Sequence, residues 1–122
     1  MAATAITNTV LKRNEAKAMP TAATVVKTDG ALVTFNKDDQ KILLLLKNNV
    51  TNVTHTAVIK AGNGLQGVTD LQVTLAGGAE SCVVVESGRF MDVSGGNKGK
   101  VNIVSKDTTT GTQIEVRAIV LP

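Results

Sequence analysis

The 122-residue chain is 43% hydrophobic and 19% charged, with a formal net charge of +3 and one cysteine, Cys82. This balance excludes a disordered polymer and an internal disulfide, and a positive excess so small and dispersed does not mark a nucleic-acid binder. Val, Thr and Ile fill 39 positions, whereas Phe35 and Phe90 are the only aromatics. β-Branched side chains lose rotamers in helices and pack well on pleated surfaces, so an all-β chain is expected.

Residues 1–20 stand apart. They are rich in Ala and Thr, hold the cations Lys12, Arg13 and Lys17, and close on Met19-Pro20. Leu11 to Ala18 is long enough for one or two helical turns, but Asn14 interrupts and the length is marginal. The reading is an extended N-terminal arm, and no charged head followed by an apolar run makes it a signal peptide.

From Thr21 onward strand-length segments alternate with turn signals. Thr24–Thr28 meets Asp29-Gly30, a hairpin dipeptide suited to positive φ, and continues as Ala31–Phe35. Asn36 to Asp39 turns the chain into Lys41–Lys47, whose four consecutive leucines fit a strand covered on both faces or at a sandwich centre. Ile42 to Leu46 is also the longest apolar run, far short of a membrane span. Asn48–Asn52 punctuates, and Thr54–Lys60 is the next strand. After a glycine-rich loop, Leu71, Val73 and Leu75 alternate with Gln72 and Thr74, as in a half-buried strand. Gly77-Gly78 leads to Cys82–Glu86, Phe90 begins a short edge segment, and Ser94–Gly99 is a long loop. Val101–Ser105, a turn over Lys106–Thr112, and Ile114–Leu121 follow. Eight or nine strands at this spacing predict a β-sandwich or jelly-roll-like body over residues 21–122, a single domain behind the arm.

Gly62-Asn-Gly-Leu-Gln-Gly67 spells a dinucleotide fingerprint, which works only when a helix N-terminus follows to hold the pyrophosphate. Val68 to Leu75 instead reads as a strand, so the glycines are assigned to tight-turn geometry. Ser94 to Lys100 lacks the spacing of a phosphate loop and is read as a hairpin loop. Asn49-Val-Thr51 and Asn52-Val-Thr54 fit the glycosylation pattern, but with no export signal they read as turn asparagines beside strand threonines. His55 has no second His or Cys pair for zinc, and the same isolation removes a Ser-His-Asp triad despite Ser81, Ser87 and Asp70. Asn36, Asp38 and Asp39 lack the rest of a calcium-loop pattern and read as turn caps. Cys82, beside Ser81 and three valines, is expected to be a small core residue, and a lone thiol fits a reducing compartment. Two Phe, both expected in the core, build no ring platform for a sugar or a base. The expectation is a non-enzymatic chain: no catalytic residues, metal, cofactor or small-molecule substrate, and no nucleic-acid or membrane partner.

Three stretches resemble the small decoration, or cement, proteins of tailed-bacteriophage heads. They are Val58-Ile-Lys-Ala-Gly-Asn-Gly-Leu-Gln-Gly67 with Asp70-Leu71, then Glu86-Ser-Gly-Arg-Phe90, and Val116-Arg-Ala-Ile-Val-Leu-Pro122, so the resemblance spans residues 40–122 and is looser before them. It implies a structural virion protein on the capsid exterior, made in the bacterial host cytoplasm, with the major capsid protein as partner. It also implies a homo-oligomer, with a trimer favoured. A lattice repeats one contact patch, so modest contacts suffice when they bridge subunits already side by side. The expected contact residues are Lys12, Arg13 and Lys17 of the arm, and Arg89, Phe90 and Met91, since Arg and aromatics are enriched at hot spots. For Arg89 and Phe90, an Arg covering the sheet edge and a Phe in the core is an equal alternative. A neck, tail-tube or tail-terminator subunit is the competing reading, and a carbohydrate- or adhesion-binding module a more distant one.

Overall fold

The structure is a computed structural model that describes residues 4–26, 30–35, 38–106 and 114–122. Among these, ten strands follow in chain order: β1 (Thr4–Ala5), β2 (Thr9–Val10), β3 (Ala23–Val25), β4 (Ala31–Thr34), β5 (Ile42–Asn48), β6 (His55–Ile59), β7 (Leu71–Leu75), β8 (Glu80–Val83), β9 (Lys100–Ser105) and β10 (Ile114–Val120). Their helical content is a 3-10 turn at Asp39–Lys41 and one α-turn, α1 (Ser87–Phe90). One sheet has the order β1-β4-β9-β6-β7; the other is β2-β10-β5-β8, with β3 also paired to β10. Both are mixed, because β1 with β4 and β2 with β10 run parallel. The chain is all-β.

Alternation explains the two layers. In β5 and β10 every second residue is buried, and the two strands pair antiparallel from Ile42–Val120 to Asn48–Ile114. Their inward residues, among them Leu44, Leu46, Val116 and Ala118, share one core with Ala31, Val33, Ile59, Val101 and Ile103 of the other sheet. Apolar burial of this kind stabilises by about 25 cal/mol per Å² and is the main force holding the sandwich. The leucine run resolves the same way: Leu44 and Leu46 face the core, while Leu43 and Leu45 are half-buried on the outer face.

Several expectations change. β3 and β4 do not form a hairpin, because β3 joins the sheet of β10 and β4 the opposite one. Val25 completes the β10 edge, whereas Ala31 and Val33 line the other layer, so burial sends the chain across the sandwich. Asp29 of the expected turn lies outside the described residues, as do Asn36 and 107–112 of the later turn. Phe90 ends α1 rather than starting a strand; its ring is buried, and Glu86 to Phe90 carries no period-two pattern to hold a strand. Cys82 is exposed, not in the core. β8 turns Ser81 and Val83 inward, and the valines after Cys82 give no alternation from which its face can be read.

The first part of the expected arm is strand. β1 pairs with β4, β2 pairs with β10, and buried Ile6 crosses between the layers. Asn8 Nδ2 donates to Thr34 O at 2.9 Å along that crossing. The other edges are linked likewise, since β7 and β8 are edge strands of different sheets joined through Gly77-Gly78. Strands β2, β4, β6, β8 and β10 all finish at one end of the sandwich, which gathers segments 35–41, 60–70 and 84–99.

Candidate interaction site

That loop end is pinned by hydrogen bonds between segments far apart in sequence. Segment 60–70 folds back on itself before β7, and two glycines permit it. A Cβ on Gly62 would collide with the Met91 carbonyl, and one on Gly67 with the Gly62 carbonyl. The Gly62 N–H donates to Arg89 O at 3.0 Å, and the Gly67 N–H to Gly64 O at 3.1 Å. Asn63 locks the loop to its neighbour: its Oδ1 accepts from the Val93 N–H at 2.7 Å and its Nδ2 donates to Ser94 O at 3.1 Å. The loop that holds Ser94 is a hairpin, with Met91 bridging Val101 and the Asp92 N–H donating to Lys100 O.

Two carboxylates act as anchors. The Ser87 N–H donates to Asp39 Oδ2 at 2.8 Å, which ties α1 to the 3-10 turn and, against a desolvation cost, holds the Asp39 carboxyl below its usual range. The Ala61 N–H donates to Asp70 Oδ1 at 2.7 Å and lowers that carboxyl likewise, helped by Lys60 Nζ at 3.1 Å. Asp38 caps its own turn by accepting from the Gln40 N–H. Asp38 and Asp39 thus each accept from a backbone N–H, one within its own turn and one on α1, while Asn36, read with them as a turn cap, lies outside the described residues.

What this frame displays is apolar. Leu65 is fully exposed, Val68 is 80% exposed and Val93 48%. Next to Val68, a cleft of about 330 Å³ opens with Thr69, Asp70, Glu86, Arg89 and Phe90 among its walls. Arg89 is exposed and sits over the Phe90 ring, 5.4 Å from its centroid. Phe90 belongs to the core and Met91 is half-buried, so of Arg89, Phe90 and Met91 only Arg89 is exposed. Leu65, Val68 and Val93 were not singled out by their sequence. For Leu65 and Val93 the signal is a large aliphatic residue inside or beside a glycine-dense turn, where no strand pattern assigns it to the core, whereas Val68 falls in the expected strand that begins only at Leu71.

Lys12, Arg13 and Lys17 lie on an exposed loop, residues 11–22, with Lys17 paired to Glu15 at 3.2 Å. That loop leaves from β2 at the opposite edge of the same end, so the two expected clusters do not meet. Among the described residues no group of three His, Cys, Asp or Glu side chains is placed to hold a metal ion, and no helix is long and apolar enough to cross a membrane. The arrangement offers adhesion: aliphatic side chains and one guanidinium on a rigid mount. Compared with protein-family models, curated proteins and solved structures, the chain matches none.

Proposed function

We propose that this chain is a non-enzymatic virion protein of a tailed bacteriophage, docking on the capsid exterior and bridging neighbouring copies of the major capsid protein. The supporting observation is convergence. The three stretches that carry the resemblance all reach the loop end, where Gly62, Asn63 and Gly67 hold Leu65 and Val68 outward in a hydrogen-bonded frame. A loop ordered before docking loses little conformational entropy on contact, so a small apolar knob holds better than the same side chains on a floppy segment. Arg89 beside it adds a guanidinium suited to a polar rim. The proposed working form is a homo-oligomer, a trimer before other sizes.

Mixing purified protein with undecorated phage heads and imaging them tests the reading. Decorated lattice positions are expected, and the double substitution Leu65→Ser with Val68→Ser should weaken co-sedimentation by about tenfold or more per side chain while leaving the melting temperature unchanged. Equal binding by the double variant moves the contact elsewhere. Bare heads together with six-fold rings of the protein alone would replace the reading with a neck or tail subunit.

A further inference from the structure

We propose that residues 4–10 are an exchangeable plug that one copy of this chain donates to the next. The partner is a second copy, and the site is the gap between β4 of one sheet and β10 of the other, which the plug fills here within its own chain. The inference does not rest on the capsid reading.

Three observations carry it. The plug is held lightly: two two-residue strands, one buried side chain (Ile6) and the Asn8 bond to Thr34 O, while Thr4, Ala5, Thr7 and Val10 are exposed. Its packing is incomplete, since Asn8 Oδ1 is buried without a partner and a cleft of about 380 Å³ separates residues 4–9 from 20–23.

The connection is the third. β2 and β3 share one edge of β10, but β2 runs parallel to it and β3 antiparallel. Val10 lies beside Val120 and Ala23 beside Val116, a separation of about 13 Å at roughly 3.3 Å per residue. Twelve residues cover that distance and make the reversal. The Leu11 N–H is fixed to Val120 O at 2.8 Å and Pro20 O accepts from Arg117 Nε at 3.0 Å, whereas everything from Lys12 to Met19 is exposed, with Asn14 at φ 61°. An exposed connector between a lightly held strand pair and a stable body is the arrangement from which identical elements exchange between copies.

Paired cysteines decide it. Thr9 and Ile119 are partners across β2 and β10, at a spacing a disulfide spans, so a Thr9→Cys chain is mixed with an Ile119→Cys chain, both with Cys82→Ser. After co-incubation and oxidation, exchange predicts heterodimers well above either homodimer, with a yield that rises with concentration. The double variant Thr9→Cys, Ile119→Cys is expected to close within one chain when dilute and between chains when concentrated. A second variant lacks Lys12–Met19; the four residues left between β2 and β3 reach only about 17 Å, too little to reverse and return, so a shift from monomer to dimer or ring is expected. Heterodimers at the random yield, or a shortened variant that stays monomeric, overturn the proposal. So does a double variant that fails to close at all, because the pairing on which the exchange rests would then be missing.

Discussion

Each end of the sandwich is organised by one asparagine, and the two do opposite things. At the far end Asn48 is fully buried; its Nδ2 donates to Val53 O at 2.7 Å and Leu75 O at 3.1 Å, and its Oδ1 accepts from the Val50 N–H at 3.1 Å. It ties the β5–β6 connection to the β7–β8 turn and satisfies backbone groups that the core would otherwise strand. At the loop end Asn63 is exposed and joins two surface loops, leaving Leu65 and Val68 in solvent. A buried amide stabilises the body, and an exposed one shapes a surface. The same side-chain chemistry serves stability in one place and presentation in the other, with burial deciding which.

The largest effect should come from Asn48→Ala. The buried Leu75 carbonyl and the part-buried Val53 carbonyl lose their donor and the part-buried Val50 N–H its acceptor. At about 1–3 kcal/mol for a buried group left unsatisfied, and less for the part-buried ones, this points to a loss of about 3 kcal/mol. For a domain of this size that is a fall of about 10 °C in melting temperature, read by calorimetry. A loss well under 1 kcal/mol would mean that the far loops hold without the amide, and the contrast between the ends would fail. Gly62→Ala is next. Its new Cβ meets the Met91 carbonyl, backbone that cannot rotate away, so about 2 kcal/mol is expected from overpacking. Hydrogen exchange should localise the disturbance to Arg89 through Ser94 and leave Val50 to Leu75 protected near Asn48. Wild-type stability in this variant would show that the loop does not rest on Met91.

Much of the body was legible because burial and pattern agree. β7 read as a strand from the alternation of Leu71, Val73 and Leu75, and β5 from its leucine run between turn signals. The glycines of Gly62 to Gly67 read as turn geometry because a strand rather than a helix follows them. Partner choice was not legible. Asp29-Gly30 encodes a reversal, but which strand receives the returning chain depends on burial across the whole sandwich, and β3 and β4 separate. Cys82 and Phe90 failed for a local reason: neither lies in an alternating run, so neither face nor element could be phased. β1 and β2 are two residues each, below any periodicity, and exist because tertiary edges of β4 and β10 accept them. Asn48 read as loop punctuation, since nothing in a single residue announces that a turn asparagine will be buried beneath two loops. At the candidate site, Arg89 was visible from its type, whereas Leu65 sat in a glycine-rich loop that assigned it no face and Val68 read as part of a strand that begins only at Leu71.

The smallest effect separates the ends by acid. Asp39 and Asp70, the carboxyls among the described residues whose folded-state pKa is lowered from the ordinary 3.8, both sit at the loop end, each accepting from a backbone N–H. A depressed carboxyl contributes stability in full above its unfolded pKa, and that contribution disappears as the pH falls through the folded value. Between pH 6 and 5 both ends should therefore keep their protection, and below about pH 4 the loop end should loosen first. Asn48 has no proton to gain there, so Val50 and the β7–β8 turn should hold while the amides of Ala61 and Ser87 lose protection relative to them. In Asp39→Asn with Asp70→Asn the loop end should be weaker at pH 6 and nearly flat down to pH 3, because the neutral amide accepts the same bonds more weakly and has nothing left to titrate. Protection factors corrected for intrinsic exchange at each pH make the comparison within one molecule. Loosening of both ends together would assign the acid response to the whole sandwich instead, and the division between a neutral, buried clamp and a charged, surface-forming one would not stand.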